Sequence, residues 1–156
     1  MKQRVYIDTS VIGGCFDKEF EEYSNRLFNE FKSFKKIAVI SDITLDELSD
    51  APKYVQDNFK TIHDDSIEVL ISNSETKKLA NLYILEKAIS TKFYEDALHI
   101  AISTINQVNV LASWNFKHIV NLDRIRVYNA VNLKNGYSLL EIRTPREIIK
   151  FEDNEY

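Results

Sequence analysis

The chain has 156 residues, 44% of them hydrophobic and 28% charged, which suits one globular domain. Its formal net charge of −4 argues against a general nucleic-acid-coating protein, which would be basic, but leaves room for a nuclease whose acidic groups gather at a metal. No run approaches the roughly 20 apolar residues of a membrane span, MKQRVYIDTSV lacks the apolar core of a secretory signal, and the lone Cys15 rules out an internal disulfide, so a reducing cytosol is expected. Beside Phe16 and Asp17, with no activating base, Cys15 reads as a half-buried structural thiol.

Val5–Ile7 is the first short apolar run and predicts a strand. Phe20, Tyr23, Leu27, Phe28 and Phe31 then recur at helical spacing, predicting an amphipathic helix over Glu19–Phe34. Ile37–Ile40 is the second strand. Thr44 is placed to cap a helix carrying Leu45 and Leu48, with Glu47 as its capping-box partner. Pro52 opens a short helix, Ile67–Ile71 is the third strand, and Ser74 caps the helix with Leu79, Leu82, Tyr83 and Ala88. Phe93–Ile105 is a helix with Ala97, Ile100, Ala101 and Ile105 on one face, followed by the fourth strand, Val110–Ala112. Leu122, Ile125, Val131 and Leu133 predict a helix stopped at Asn135-Gly136. Leu139–Ile142 is the last strand, and Thr144-Pro145-Arg146-Glu147 opens a final helix.

Strands rich in Val and Ile, alternating with helices, imply a mostly parallel sheet of about five strands covered on both faces. The expected fold is a single-domain three-layer α/β/α sandwich over residues 1–151, with a loose end at 152–156. In such sheets the functional crevice lies beyond the carboxyl ends of the strands.

Three carboxylates point to that edge. Asp8 follows the first strand directly and fits a turn, a cap for a helix from Ser10, or a ligand. Glu47 either completes the box with Thr44 or reaches the crevice. Asp96 lies one turn before Ile100, at the border of the buried face, as a partner for the helix dipole or a ligand; Glu95, about 100° round the wheel, should be solvated. Gathered together, such groups need a counter-charge or raised pKa values, and a hard divalent cation answers that need. No zinc-spaced Cys/His cluster, GxGxxG, P-loop or G-x-S-x-G elbow offers another chemistry.

The stretches YIDTSVI, ISDITLDEL, YEDALHIAIS and VLASWNF, in that order and over nearly the whole chain, resemble the motifs of PIN-domain ribonucleases of the kind found as toxins in toxin–antitoxin pairs. The resemblance implies a cytoplasmic Mg²⁺- or Mn²⁺-dependent endoribonuclease. Asp8 and Asp96 would hold the metal, and Glu47 would hold a metal-bound water or act as base. Ser113 would support the strand exit, and Asn115 would orient water or phosphate. Asn115 stands where the family often has a fourth acidic residue, so a second metal should bind more weakly. Lys117 and His118 are candidates for phosphate contact, with Arg124 and Arg126 continuing a basic edge. His99 can hydrogen-bond Asp96 or simply pack, and Trp114 and Phe116 can stack bases or anchor the loop. The resemblance also implies RNA as substrate, a small antitoxin partner and a homodimer, with the aromatic helix as part of its surface. Two other readings are a PIN-like module that binds RNA or protein without cutting, and a phosphatase-like enzyme using Asp8 as nucleophile, which Ser10 two positions on makes a poor match.

Overall fold

The computed structural model describes residues 1–153. Five strands, β1 (Gln3–Ile7), β2 (Lys36–Ser41), β3 (Ile67–Leu70), β4 (Val110–Ala112) and β5 (Ile142–Arg143), form one all-parallel sheet in the order β3-β2-β1-β4-β5. Among the described residues eight helices surround it: α1 (Thr9–Gly14), α2 (Glu21–Lys32), α3 (Asp42–Ser49), α4 (Lys53–Phe59), α5 (Ser74–Leu85), α6 (Tyr94–Ile105), α7 (Leu122–Lys134) and α8 (Pro145–Asp153). The α/β/α sandwich expected from the alternation is therefore present.

Alternate residues of the central strand feed two separate cores, as the pleat requires. Tyr6 joins Val39 and Leu111 under α5, α6 and α7, where Leu79, Tyr83, Ile100 and Tyr128 are buried. Val5 and Ile7 join Ala38, Ile40 and Val110 on the other face, against Val11, Leu27, Phe28, Phe31 and Phe59. Strands covered on both faces explain the unbroken Val/Ile runs.

The chain winds from β1 through β2 to β3, then returns to lay β4 on the free side of β1. The gap between the ends of β1 and β4 is thus the switch point of the sheet, where such folds open a crevice. Register pairs Ile7 with Ala112, so the next residues, Asp8 and Ser113, leave the sheet side by side.

Several boundaries differ from the expectations above. α2 runs from Glu21 to Lys32, shorter than Glu19–Phe34, and Phe34 takes a left-handed φ of 63° that ends the helical direction. α5 is capped by Asn73, not Ser74. The last strand is Ile142–Arg143, not Leu139–Ile142: Asn129 of α7 takes the Leu140 backbone, accepting from its N–H at 2.8 Å and donating to its carbonyl at 3.2 Å, and Leu139 is left exposed. The Thr144–Glu147 box forms as expected, with reciprocal bonds of 3.1 and 3.2 Å. α8 extends through Asp153, and the rest of the expected loose end, 154–156, lies outside the described residues. No helix among the described residues is long and apolar enough to cross a membrane.

Candidate active site

Asp8 is the N-cap of α1, one of the roles its position allowed, and it is only 5% exposed. Ser10 Oγ donates to its Oδ1 at 2.5 Å, and Ser113 Oγ donates to its Oδ2 at 2.6 Å. Ser10 Oγ also accepts from the Trp114 N–H at 2.9 Å, and Ser113 Oγ from the Asn115 N–H at 3.0 Å. Two serines thereby tie the exits of β1 and β4 to one carboxylate. Burial raises the Asp8 pKa; His99 and the two hydroxyls oppose that, the Glu47 charge adds to it, and the net direction is upward.

Glu47 is free to reach the same edge because Thr44 does not cap α3. Ser41 is the cap and Thr44 its reciprocal partner, so the capping box closes one turn before Glu47. Glu47 Oε1 instead meets His99 Nε2 at 2.6 Å. His99 Nδ1 meets Tyr6 Oη at 2.6 Å, and Tyr6 Oη meets Ser41 Oγ at 2.7 Å. His99 is 1% exposed and hydrogen-bonds Glu47 rather than Asp96. Burial disfavours its charged form, yet Tyr6, Glu47 and Asp8 outweigh that and hold its pKa well above the ordinary value. His99 thus bridges Tyr6 and Glu47, one through each ring nitrogen.

Asp96, in the first turn of α6, is half-buried and far less engaged: Asn115 Nδ2 approaches its Oδ2 at 3.4 Å. Burial pushes its pKa up to about 6; His99 opposes, and Asp8, Glu47 and Glu95 add to the rise. It borders a cavity of about 380 Å³ with Glu47, Lys92, Phe93, Tyr94 and Glu95. Glu95 is exposed as expected, but on this rim.

No family model matches the chain, and no curated protein does. Solved structures do. VapC20 of Mycobacterium tuberculosis, a sarcin–ricin-loop-cleaving toxin, superposes with a TM-score of 0.57 at 11% identity, over 73% of this chain and 92% of that one. VapBC2 of Rickettsia felis, solved on a DNA fragment from its promoter, gives 0.57 at 15% identity over 90% and 98%. FitAB bound to the IR36 DNA fragment gives 0.53 at 11% identity over 90% and 94%. The fold is that of a PIN domain.

On this PIN fold the loop after β4 is pinned from within. Trp114 is 8% exposed, stacks on Phe20 at 4.4 Å and donates from Nε1 to Ser24 Oγ at 2.8 Å, so it anchors the loop. Gly14 makes this possible: a Cβ there would lie 2.7 Å from Ser24 Oγ and 2.9 Å from Trp114 Nε1. Phe116 remains 51% exposed. Asn115 Oδ1 accepts from the backbone N–H groups of Lys117 and His118 at 3.2 and 3.0 Å. Its oxygen is committed to the turn, and only its nitrogen faces Asp96.

Ser113 is fully buried and serves Asp8. His118 is buried with its ring stacked on Phe93 at 3.7 Å, while Lys117 is exposed. Cys15 is buried rather than half-buried, and burial pushes its thiol up to about 11, as suits a structural residue. No sequence signal gives Tyr6, Ser10, Ser24 or Gly14 a role of its own at the site. The hint for three of them is their place in YIDTSVIGG, around Asp8.

Among the described residues no group of three or more His, Cys, Asp or Glu side chains has the geometry to hold a metal ion. The donor chemistry still suits one. Asp8, Glu47 and Asp96 offer hard carboxylate oxygens, and Glu47 raises the pKa of both aspartates while Asp8 raises that of Asp96.

Proposed function

We propose that the chain is an endoribonuclease that hydrolyses RNA phosphodiester bonds with Mg²⁺ or Mn²⁺ held by Asp8, Glu47 and Asp96. What supports this reading is that Asp8, Glu47 and Asp96 come from three elements to one edge of the sheet, near enough to interact electrostatically with one another and, for Glu47, to hydrogen-bond buried His99. A bound cation would polarise the phosphate and lower the pKa of water. The residues divide the remaining work. Ser10 and Ser113 fix both oxygens of Asp8. His99 orients Glu47 toward the cavity, where it acts as base or holds water. Asp96 must ionise to take part, and Asn115 steadies it. The sarcin–ricin loop cleaved by VapC20 is RNA, which accords with this substrate class.

The acidic cavity would also accept a basic segment of a small antitoxin, so the chain is proposed as the toxin of such a pair, working in the cytoplasm as a homodimer. RNA cleavage under a Mn²⁺ titration tests the enzymatic reading: Asp8→Asn and Asp96→Asn should abolish it, and cleavage by either at the wild-type rate would overturn it. A second reading, an RNA- or protein-binding module, is favoured by one observation: the committed Asn115 oxygen leaves the fourth position without a ligand atom. RNA binding with no cleavage at any metal concentration would establish it instead.

A further inference from the structure

A second cavity, of about 470 Å³, lies at the start of α7 and has the opposite charge. Lys87, Lys117 and Arg124 line it, with Asp123 and Asn121 beside them. Among the described residues neither Lys87 nor Lys117 is engaged in an ion pair, and Asp123 neutralises at most one of the three cations. In a chain of net charge −4, this is a local concentration of positive charge.

Its walls are held in place. Lys87 ends α5 in a left-handed conformation, φ 63°, and the next carbonyl, Ala88, accepts from Arg124 Nη1 at 2.7 Å. That bond fixes the guanidinium and leaves other N–H donors for a ligand. Lys117 comes from the turn organised by Asn115, whose amide also contacts Asp96. One aromatic pair joins the two cavities: Phe93 lines the acidic one and stacks on His118, the neighbour of Lys117 in the basic one. His118 is more than nine-tenths buried, and its Nδ1 has no hydrogen-bond partner among the described residues. Burial, Arg124 and Lys117 all lower its pKa, so the ring behind the cavity lies within reach of that positive charge.

We infer that the Lys87–Lys117–Arg124 cavity is a phosphate subsite for single-stranded RNA, holding a backbone phosphate that flanks the one at the acidic centre. The inference rests on the ribonuclease reading for its substrate. A nuclease with an acidic centre repels its own substrate, and cations in the neighbouring cavity supply the missing attraction and the register.

The test is binding of a fluorescent single-stranded oligoribonucleotide to the full chain in EDTA, across a salt series, with thermal melting to confirm that each variant is folded. The slope of log affinity against log salt should fall by about 0.7 for each phosphate that the protein no longer neutralises. Lys87→Gln and Lys117→Gln should each lower it by about that amount, and with metal each should raise KM while leaving kcat near wild type. Folded lysine variants that keep the wild-type slope overturn the inference while leaving the nuclease reading standing. Wild-type protein that neither binds nor cuts RNA overturns both. Variants that lose binding of poly-glutamate but not of RNA overturn it in favour of an acidic-peptide site.

Discussion

Asp8 and Asp96 are the same residue type at the same edge of one sheet, and the fold treats them in opposite ways. Asp8 is buried and receives two hydroxyl bonds of 2.5 and 2.6 Å plus a backbone N–H at 3.3 Å. Asp96 is half-buried and has one long contact of 3.4 Å. Asp8 is a fixed point, whose donors already match a carboxylate. Asp96 faces the cavity with little to stabilise its charge, so it titrates near 6. The difference teaches that the rigid half of the site is built by β1 and β4, and the responsive half by α6.

The most severe way to probe that contrast is to remove the fixed charge. Asp8→Asn should lower RNA cleavage by about a thousandfold or more, as loss of a metal-holding charge worth several kcal/mol would. Its folding should suffer less, because the amide can still cap α1. Cleavage rates and thermal melts of the same preparation check both.

Next comes the loop behind Asp8. Gly14→Ala forces a methyl group against Ser24 and Trp114. It should cost about 1–3 kcal/mol, shift tryptophan fluorescence, and weaken cleavage through the Ser113 side of the site. If its melting temperature and emission match wild type, the tight approach is not what holds the loop.

The responsive half is read by pH. A carboxyl whose folded pKa is raised keeps its proton more readily when folded, so stability falls as pH rises from the unfolded value near 3.9 through about 6. His99, also raised, adds stability that is full below its unfolded value near 6.5 and is lost as pH passes its higher folded value. Denaturant melts should therefore show wild type losing stability between about pH 4 and 6, a loss that Asp96→Asn reduces, leaving the part due to Asp8, whose pKa is also raised. Cleavage should run the other way, rising through about pH 6 as Asp96 ionises. Protons and cation compete for this carboxylate, so the rise belongs to subsaturating Mn²⁺, and a profile that stays flat there would mean Asp96 does not serve the cation.

The mildest change is Asn115→Asp. One oxygen would keep the turn bonds to Lys117 and His118, and the other would face Asp96. Mn²⁺ affinity should rise severalfold, and the Asp96 titration should move up, since like charges oppose ionisation. Unchanged metal affinity, measured by calorimetry, would show that this position does not belong to the centre.

Much of the fold is legible in the sequence because it is local. A Val/Ile run covered on both faces makes a parallel strand wherever it occurs, so β1, β2 and β4 can be read directly, and Asp8 follows from the end of β1. The Asn135-Gly136 stop and the Thr144–Glu147 box depend on residues within a turn of each other, and both form. Where two local signals compete, the sequence misleads: Thr44 looks like the cap of α3, but Ser41 takes that place, and this is what releases Glu47 to His99.

What only the tertiary structure decided are contacts between residues far apart in the chain. The Tyr6–His99–Glu47 relay joins β1, α6 and α3, and Gly14, Ser24 and Trp114 meet from α1, α2 and the exit of β4. Asn115 is the sharpest case. VLASWNF places it correctly at the end of β4, but the turn it caps takes its oxygen and turns its nitrogen toward Asp96. Spacing along a chain sets which edge a side chain reaches; which atom faces which is settled only when buried donors and acceptors compete for partners in the packed fold.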